Sequence, residues 1–178
     1  MHIQPYYLIR EGTAAVTLKQ NEHFDELAIV VATPEDIPRI AACQDWVTEE
    51  LLQGRFEKGH LCMMVVRGEE LVGHTWVDFE EVHEAYCDYE LQSDEAYLFD
   101  AFIKREYRGF GLAPYVRKEC YEYLARIGRR QYYSISDYFN TPAIRFKKKL
   151  HAEIFRLYLY VKIGRYTLGN WVLKDYQP

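Results

Sequence analysis

At 178 residues, 49% hydrophobic and 28% charged, the chain is long enough to bury a core without disulfide or metal staples, and its composition excludes a disordered or fibrous protein. The formal net charge of −5 argues against a nucleic-acid partner. The N-terminus lacks a basic region followed by an apolar run, and no apolar stretch reaches membrane-spanning length, so the chain reads as a soluble, cytoplasmic protein with no membrane partner.

Residues 5–9 and 14–18 read as a hairpin or N-terminal extension around Gly12, with the extension ending near residue 26. Residues 27–32 (LAIVVA) form a strand. Thr33-Pro34-Glu35-Asp36 then opens a helix, since Thr33 can cap, Pro34 fits the first turn and the acids oppose the positive helix end. Ile37, Ile40, Ala41, Val47 and Leu51 continue at helical spacing toward a stop at Gly54. Residues 61–66 and 71–79 flank Arg67-Gly68-Glu69-Glu70 as an antiparallel hairpin, and residues 80–94 read as a long loop or irregular strand pair. Residues 96–103 (AYLFDAFI) are apolar enough for a strand buried on both faces. A helix over 111–127 follows, closed by Gly128, then a strand at 131–136, an Asn140-capped helix to about residue 150, and strands at 154–161 and 171–174. The order is mixed α/β, and no linker, repeat or low-complexity tract divides it, so residues 1–178 read as one domain.

Charge segregates along the chain. Residues 68–103 carry eleven acids and no lysine or arginine, whereas residues 104–149 carry twelve basic residues against four acids. The basic half contains an anion cradle. Arg108-Gly109-Phe110-Gly111-Leu112-Ala113 joins an apolar strand to a helix, so glycine amides, the helix dipole and a guanidinium converge. The Gly-x-Gly-x-x-Gly of a dinucleotide fold and the Gly-Lys-Ser/Thr of a P-loop are both absent. Cys43, Cys62, Cys87 and Cys120 are scattered without a CxxC, which predicts reduced thiols, and the dispersed histidines predict no metal site.

The cradle resembles the Gln/Arg-x-x-Gly-x-Gly/Ala signature of the GNAT N-acetyltransferases, and Asn140-Thr141-Pro142-Ala143 resembles the Asn-x-x-Ala start of that family's fourth helix. The resemblance runs from about Leu27 onward. It implies a mixed, mostly antiparallel twisted sheet flanked by helices, with a central strand–loop–helix–strand unit that binds acyl-CoA. It further implies an N-acetyltransferase moving an acetyl group from acetyl-CoA, as donor substrate and without metal, to a small-molecule or peptide amine by direct attack in a ternary complex. On this reading Arg108, Gly109, Phe110, Gly111, Leu112 and Ala113 cradle the pyrophosphate, Phe102 and Ile103 bond the pantetheine through backbone groups, and Asn140 contacts it from the other side. A non-catalytic acyl-CoA sensor and a transferase for longer acyl chains stay open as alternatives, as does a homodimeric state.

Two catalytic positions depart from the family pattern. The tyrosine that many members carry seven residues after the motif asparagine is here Lys147, a proton donor, a phosphate contact or, most plainly, solvated surface; Tyr138 is the substitute general acid. The strand positions that often supply a base are Tyr97 and Phe99. Glu95, two residues before Tyr97 and on the same strand face, ranks first as base, ahead of Glu80 or Glu81 acting through water and of Asp100 on the opposite face. The acidic stretch beside this strand favours a cationic acceptor.

Overall fold

Helices cover both faces of the central strands, and this explains why those strands are apolar along nearly their whole length. The structure is a computed structural model that describes residues 1–13, 15–18, 24–84 and 87–176. Its main sheet has eight strands in the order β10-β9-β1-β8-β7-β4-β3-β2: β1 (His2–Arg10), β2 (Leu27–Val31), β3 (Leu61–Arg67), β4 (Glu70–Asp78), β7 (Glu95–Ile103), β8 (Gln131–Asp137), β9 (Glu153–Ile163) and β10 (Tyr166–Asp175). A separate two-stranded ribbon, β5 (Glu81–Glu84) with β6 (Cys87–Glu90), occupies the stretch read as a loop or irregular strand pair. On one face α3 (Leu112–Arg126) packs Cys120, Tyr121 and Leu124 against Val77, Ala96 and Leu98. On the other, α1 (Ile37–Ala41) and α2 (Glu49–Glu57) pack Ile37, Ile40 and Leu52 against Cys62, Met64 and Trp76.

Two expectations change. The helix read over residues 33–54 is broken: a 3-10 turn (Pro34–Asp36) and α1 end at Ala42, and α2 starts afresh where the Thr48 hydroxyl accepts from the Leu51 amide at 3.1 Å. Gly54 lies inside α2 and does not stop it; the left-handed residue that ends the segment is Gly59, at φ 77°. The N-terminal segment, read as a hairpin or extension, instead enters the main sheet as β1, antiparallel to both β8 and β9, because Tyr6 and Ile9 are buried there.

The sheet opens at its centre. Strands β7 and β8 are parallel and pair only from Glu95–Gln131 to Tyr97–Tyr133; beyond that β7 continues along β4 and β8 along β1. Opposite Thr75, β7 carries two residues, Asp100 and Ala101, between the Trp76–Phe99 and His74–Phe102 pairs. This bulge bends the strand, and Asp100 sits in it at φ 43°, a conformation that costs a non-glycine residue energy.

Candidate active site

Beside the splayed end of β7 lies a cleft of about 640 Å³. Its walls are Ala101, Phe102 and Ile103 of β7, the loop 107–111 with the first turn of α3, and α4 (Thr141–Lys149). Gly109 and Gly111 stand at φ 90° and 87°, and Gly111 is the N-cap of α3 with no side-chain cap bond. A Cβ at either glycine would meet no protein atom within 4 Å, so both open onto free space. The first-turn amides of α3 are therefore left for a ligand, with the helix dipole behind them. Arg108 lines the cleft, but its Nε donates to the Ile103 carbonyl at 2.7 Å, tying loop to strand as well as adding charge. Arg145 and Lys149, one helical turn apart on α4, add two more cations. Asn140 caps α4 by accepting from the Ala143 amide at 3.2 Å and lines the same cleft. Open glycines, free helix amides and three cations fit a phosphorylated, extended ligand such as coenzyme A.

A second cleft, of about 430 Å³, opens on the other face of β7. Strand alternation produces it: Ala96 and Leu98 point into the α3 core, whereas Tyr97 and Phe99 form a wall of stacked rings 5.7 Å apart. Across from them stand Glu50 and Arg55 of α2 and Lys58, the residue that caps its end. The Arg55 guanidinium lies 5.0 Å from the ring centres of both Trp76 and Phe99, and donates to Asp100 Oδ2 at 2.6 Å. It thereby clamps the bulge between the two clefts. His60 Nε2 lies 3.0 Å from Asp78 Oδ2, and Asp78 Oδ1 accepts from the Glu80 and Glu81 amides at 2.8 and 3.2 Å. Burial opposes the Asp78 charge, but these hydrogen bonds hold its carboxyl below the usual range.

The family model for the GNAT family of acetyltransferases matches residues 27–152. The chain belongs to the GNAT acetyltransferase family. Among solved structures it is similar to a protein assigned to the GNAT family from Novosphingobium aromaticivorans (18% identity, TM-score 0.64, 89% of this chain and 63% of that one). It is also similar to an aminoglycoside acetyltransferase from a soil metagenomic sample, solved with sisomicin (15%, 0.61, 83% and 99%). A third is the ribosomal-protein-S18-alanine N-acetyltransferase of Escherichia coli (15%, 0.57, 70% and 76%). At these identities the likeness concerns the fold, and the chain spans less than two thirds of the Novosphingobium protein. No curated protein compared with the sequence matches it. Among the described residues, no helix is long and apolar enough to cross a membrane.

Within this GNAT fold, Phe102, Ile103, Arg108, Gly109, Gly111, Leu112, Ala113 and Asn140 all line the first cleft. Phe110 is half exposed and its side chain is not part of that wall. Phe146 of α4 lines the cleft as well. Lys147 is neither surface nor phosphate contact. It is 3% exposed, and its Nζ donates to Ser134 and Ser136 Oγ at 2.6 and 2.8 Å and lies 3.4 Å from Glu11 Oε1. Arg117 Nε is 4.0 Å from Glu11 Oε2, to which Tyr121 also donates. Burial pulls the Lys147 ammonium down to about 8, while Glu11, despite its own burial, is held at about 2 by Arg117 and Lys147. The cleft cations are instead its neighbours Arg145 and Lys149, two residues away on either side and so on another helix face.

The catalytic candidates separate. Tyr97 and Glu81 line the second cleft. Glu95 is buried, accepts from the Tyr89 and Tyr133 hydroxyls at 3.2 and 3.1 Å and from the Gln92 amide at 2.9 Å, and lines neither cleft. Tyr138 is exposed, packs on Tyr7 and Phe139, and also lies outside both walls. Asp100 is held by Arg55. The sequence reading did not single out His60, Asp78 or Arg55. A histidine just ahead of a strand, with an aspartate near the end of the next one, was the available signal: the antiparallel register Leu61–Val77 places them together.

Proposed function

We propose that this chain is an N-acyltransferase that moves an acetyl group from acetyl-CoA, held in the first cleft, to an amine entering by the second. The observation that carries the reading is that the two clefts border one strand, β7, on either side of its bulge. The thioester supplies an activated acyl group. The first-turn amides of α3, with Arg108, Arg145 and Lys149, would bind its phosphates, while Gly109 and Gly111 let the backbone approach them. Phe102, Ile103 and Asn140 would align the pantetheine arm. The bulge frees backbone groups of β7 from the ladder, which suits them to orient the acyl group and to offset the charge that develops on its oxygen. Tyr97 and Phe99 would position the acceptor, and holding both partners in one site lowers the entropic barrier to direct attack. The carboxylates of Glu50, Asp78 and Glu81 against Lys58 and a neutralised Arg55 support a cationic acceptor.

Acetyl-CoA at a hundredfold excess over its dissociation constant should stabilise the fold by about 2.7 kcal/mol, read as a rise in melting temperature. Gly111→Val should abolish that rise, because a branched residue is strained at φ 87° and its side chain enters the cleft. No rise in the wild type would refute the reading. Thiol release with a panel of amines separates a transferase from an acyl-CoA-binding module.

A further inference from the structure

On one side the main sheet ends in β10, a strand exposed at every position except Gly169, so both of its faces meet solvent. Tyr166, Leu168, Trp171, Val172 and Leu173 are each about half exposed or more. Together they present on the order of 600 Å² of largely apolar surface, most of the roughly 800 Å² that one partner gives to a stable interface. Edge strands are ordinarily guarded by a charge or a proline in their middle, and β10 has neither between Tyr166 and Leu173. Its two charged residues stand at its end and are engaged within the chain. Lys174 lies 4.6 Å from the Tyr176 ring centre, and Asp175 pairs with Arg156 at 3.0 Å.

The pairing of β10 with β9 indicates what fits this edge. Thr167 and Gly169 oppose Lys162 and Val161, which are consecutive, so Leu168 is an extra residue with no counterpart in β9. Val172 and Lys174 likewise oppose Tyr158 and Leu157, leaving Leu173 extra. Between these two bulges, Gly169 to Val172 pair in regular register with Val161 to Tyr158. The irregularities are therefore symmetric about the point between Asn170 and Trp171. A bulged edge is a poor template for a regular strand, but it matches an antiparallel copy of itself. A two-fold axis at that point sets Leu168 opposite Leu173, Asn170 opposite Trp171 and Thr167 opposite Lys174, each in both directions, and brings no like charges together.

We propose that β10 is a dimerisation edge whose occupant is a second copy of this chain. The two copies join β10 to β10, antiparallel about the Asn170–Trp171 point, and their eight-stranded sheets become one continuous sheet. Such an isologous contact closes at two chains. By contrast, β10 pairing with β2, the opposite edge, of the next copy would grow without limit. No residue of β9 or β10 lines either cleft, so the dimer leaves both open and does not depend on the acyltransferase activity.

The test is sedimentation of the full 178-residue chain from about 1 to 100 μM, where interfaces of this size begin to associate. Wild type should move from 21.2 kDa toward twice that mass and stop there. Leu168→Lys with Leu173→Lys, and separately Leu168→Glu with Leu173→Glu, set like charges face to face. Each pair should weaken self-association by about a hundredfold or more while keeping the wild-type circular dichroism. Mixing the lysine and glutamate proteins should restore a dimer, since each lysine then faces a glutamate, a rescue specific to the Leu168–Leu173 register. If the variants fail to fold, amide hydrogen exchange of wild type decides: residues 168–173 should gain protection as concentration rises. A monomer throughout the range, growth past two chains, or a dimer that neither variant weakens would overturn the proposal. So would the absence of a dimer on mixing, or exchange at 168–173 that ignores concentration.

Discussion

Lys147 shows how one buried ammonium shapes the pH response of the fold. It shares a closed site with Arg117 and a single carboxylate, Glu11, so the site carries one more cation than anion when Lys147 is protonated. Burial, with the Arg117 charge, outweighs the attraction and hydrogen bond of Glu11. Its folded value of about 8 lies below the ordinary 10.5, so between those pH values the unfolded chain holds a proton that the folded chain has shed. Stability conferred at this site therefore rises with pH across that window and is lowest below about pH 8. Thiols and tyrosines whose folded values are raised act in the opposite direction at high pH, so the readout is the difference between wild type and Lys147→Met, which keeps volume and removes the charge. Urea unfolding at pH 7 and pH 10 should show wild type gaining on the variant; a constant gap would mean that the ammonium is effectively solvated. Nothing in the run Phe146-Lys147-Lys148-Lys149 distinguishes the buried lysine from its exposed neighbours. Its counter-charge, Glu11, lies in a segment whose place in the sheet is set by pairings remote in sequence.

Among the elements, β7 has the most demanding geometry, since it changes partners, bulges and borders both clefts. Its strained residue is secured from another element: Asp100 is held by Arg55 of α2, with both side chains about one-tenth exposed. Arg55→Ala should cost about 3–5 kcal/mol, because it strands a buried carboxylate at a strained backbone position. Arg55→Met with Asp100→Gly removes both charges and gives the bulge a residue that adopts positive φ freely, so the double variant should recover much of that loss in denaturant unfolding. A double variant no more stable than Arg55→Ala would mean that the clamp relieves no strain. The local grammar of this region was readable: the hairpin β3–β4 from Arg67-Gly68-Glu69-Glu70, α3 from Gly111 and Gly128, and α4 from Asn140. The bulge was not, because AYLFDAFI reads as an uninterrupted buried strand and only pairing with β4 reveals the extra residue. The break between α1 and α2 was missed because Val47 and Leu51 keep helical spacing across it, and the Thr48 cap decides the matter.

For the molecule as a whole, the charge segregation along the chain becomes a difference between the two faces of β7. Arg108, Arg145 and Lys149 border one cleft, and Glu50, Asp78 and Glu81 border the other, where Lys58 and the Asp100-paired Arg55 offset part of their charge. With a cationic amine as acceptor, kcat/KM should fall as salt rises, since screening shortens the field to about 8 Å at physiological ionic strength. Glu80→Gln with Glu81→Gln should flatten that dependence; a flat profile already in wild type, or a preferred anionic acceptor, would count against steering. The placement of β1 has a consequence in time. Its residues pair across most of the chain, Tyr6 with Asp137 and His2 with Lys162, and among the described residues β9 is joined to the body of the sheet through β1. During synthesis β1 leaves the ribosome long before β8 and β9 exist, so Tyr6 and Ile9 must wait unburied until residues 131–163 have emerged. The docking that joins β9 and β10 to the body of the sheet, and brings Glu11 to Lys147, belongs to a late, slow step of folding set by loop closure over almost the whole chain.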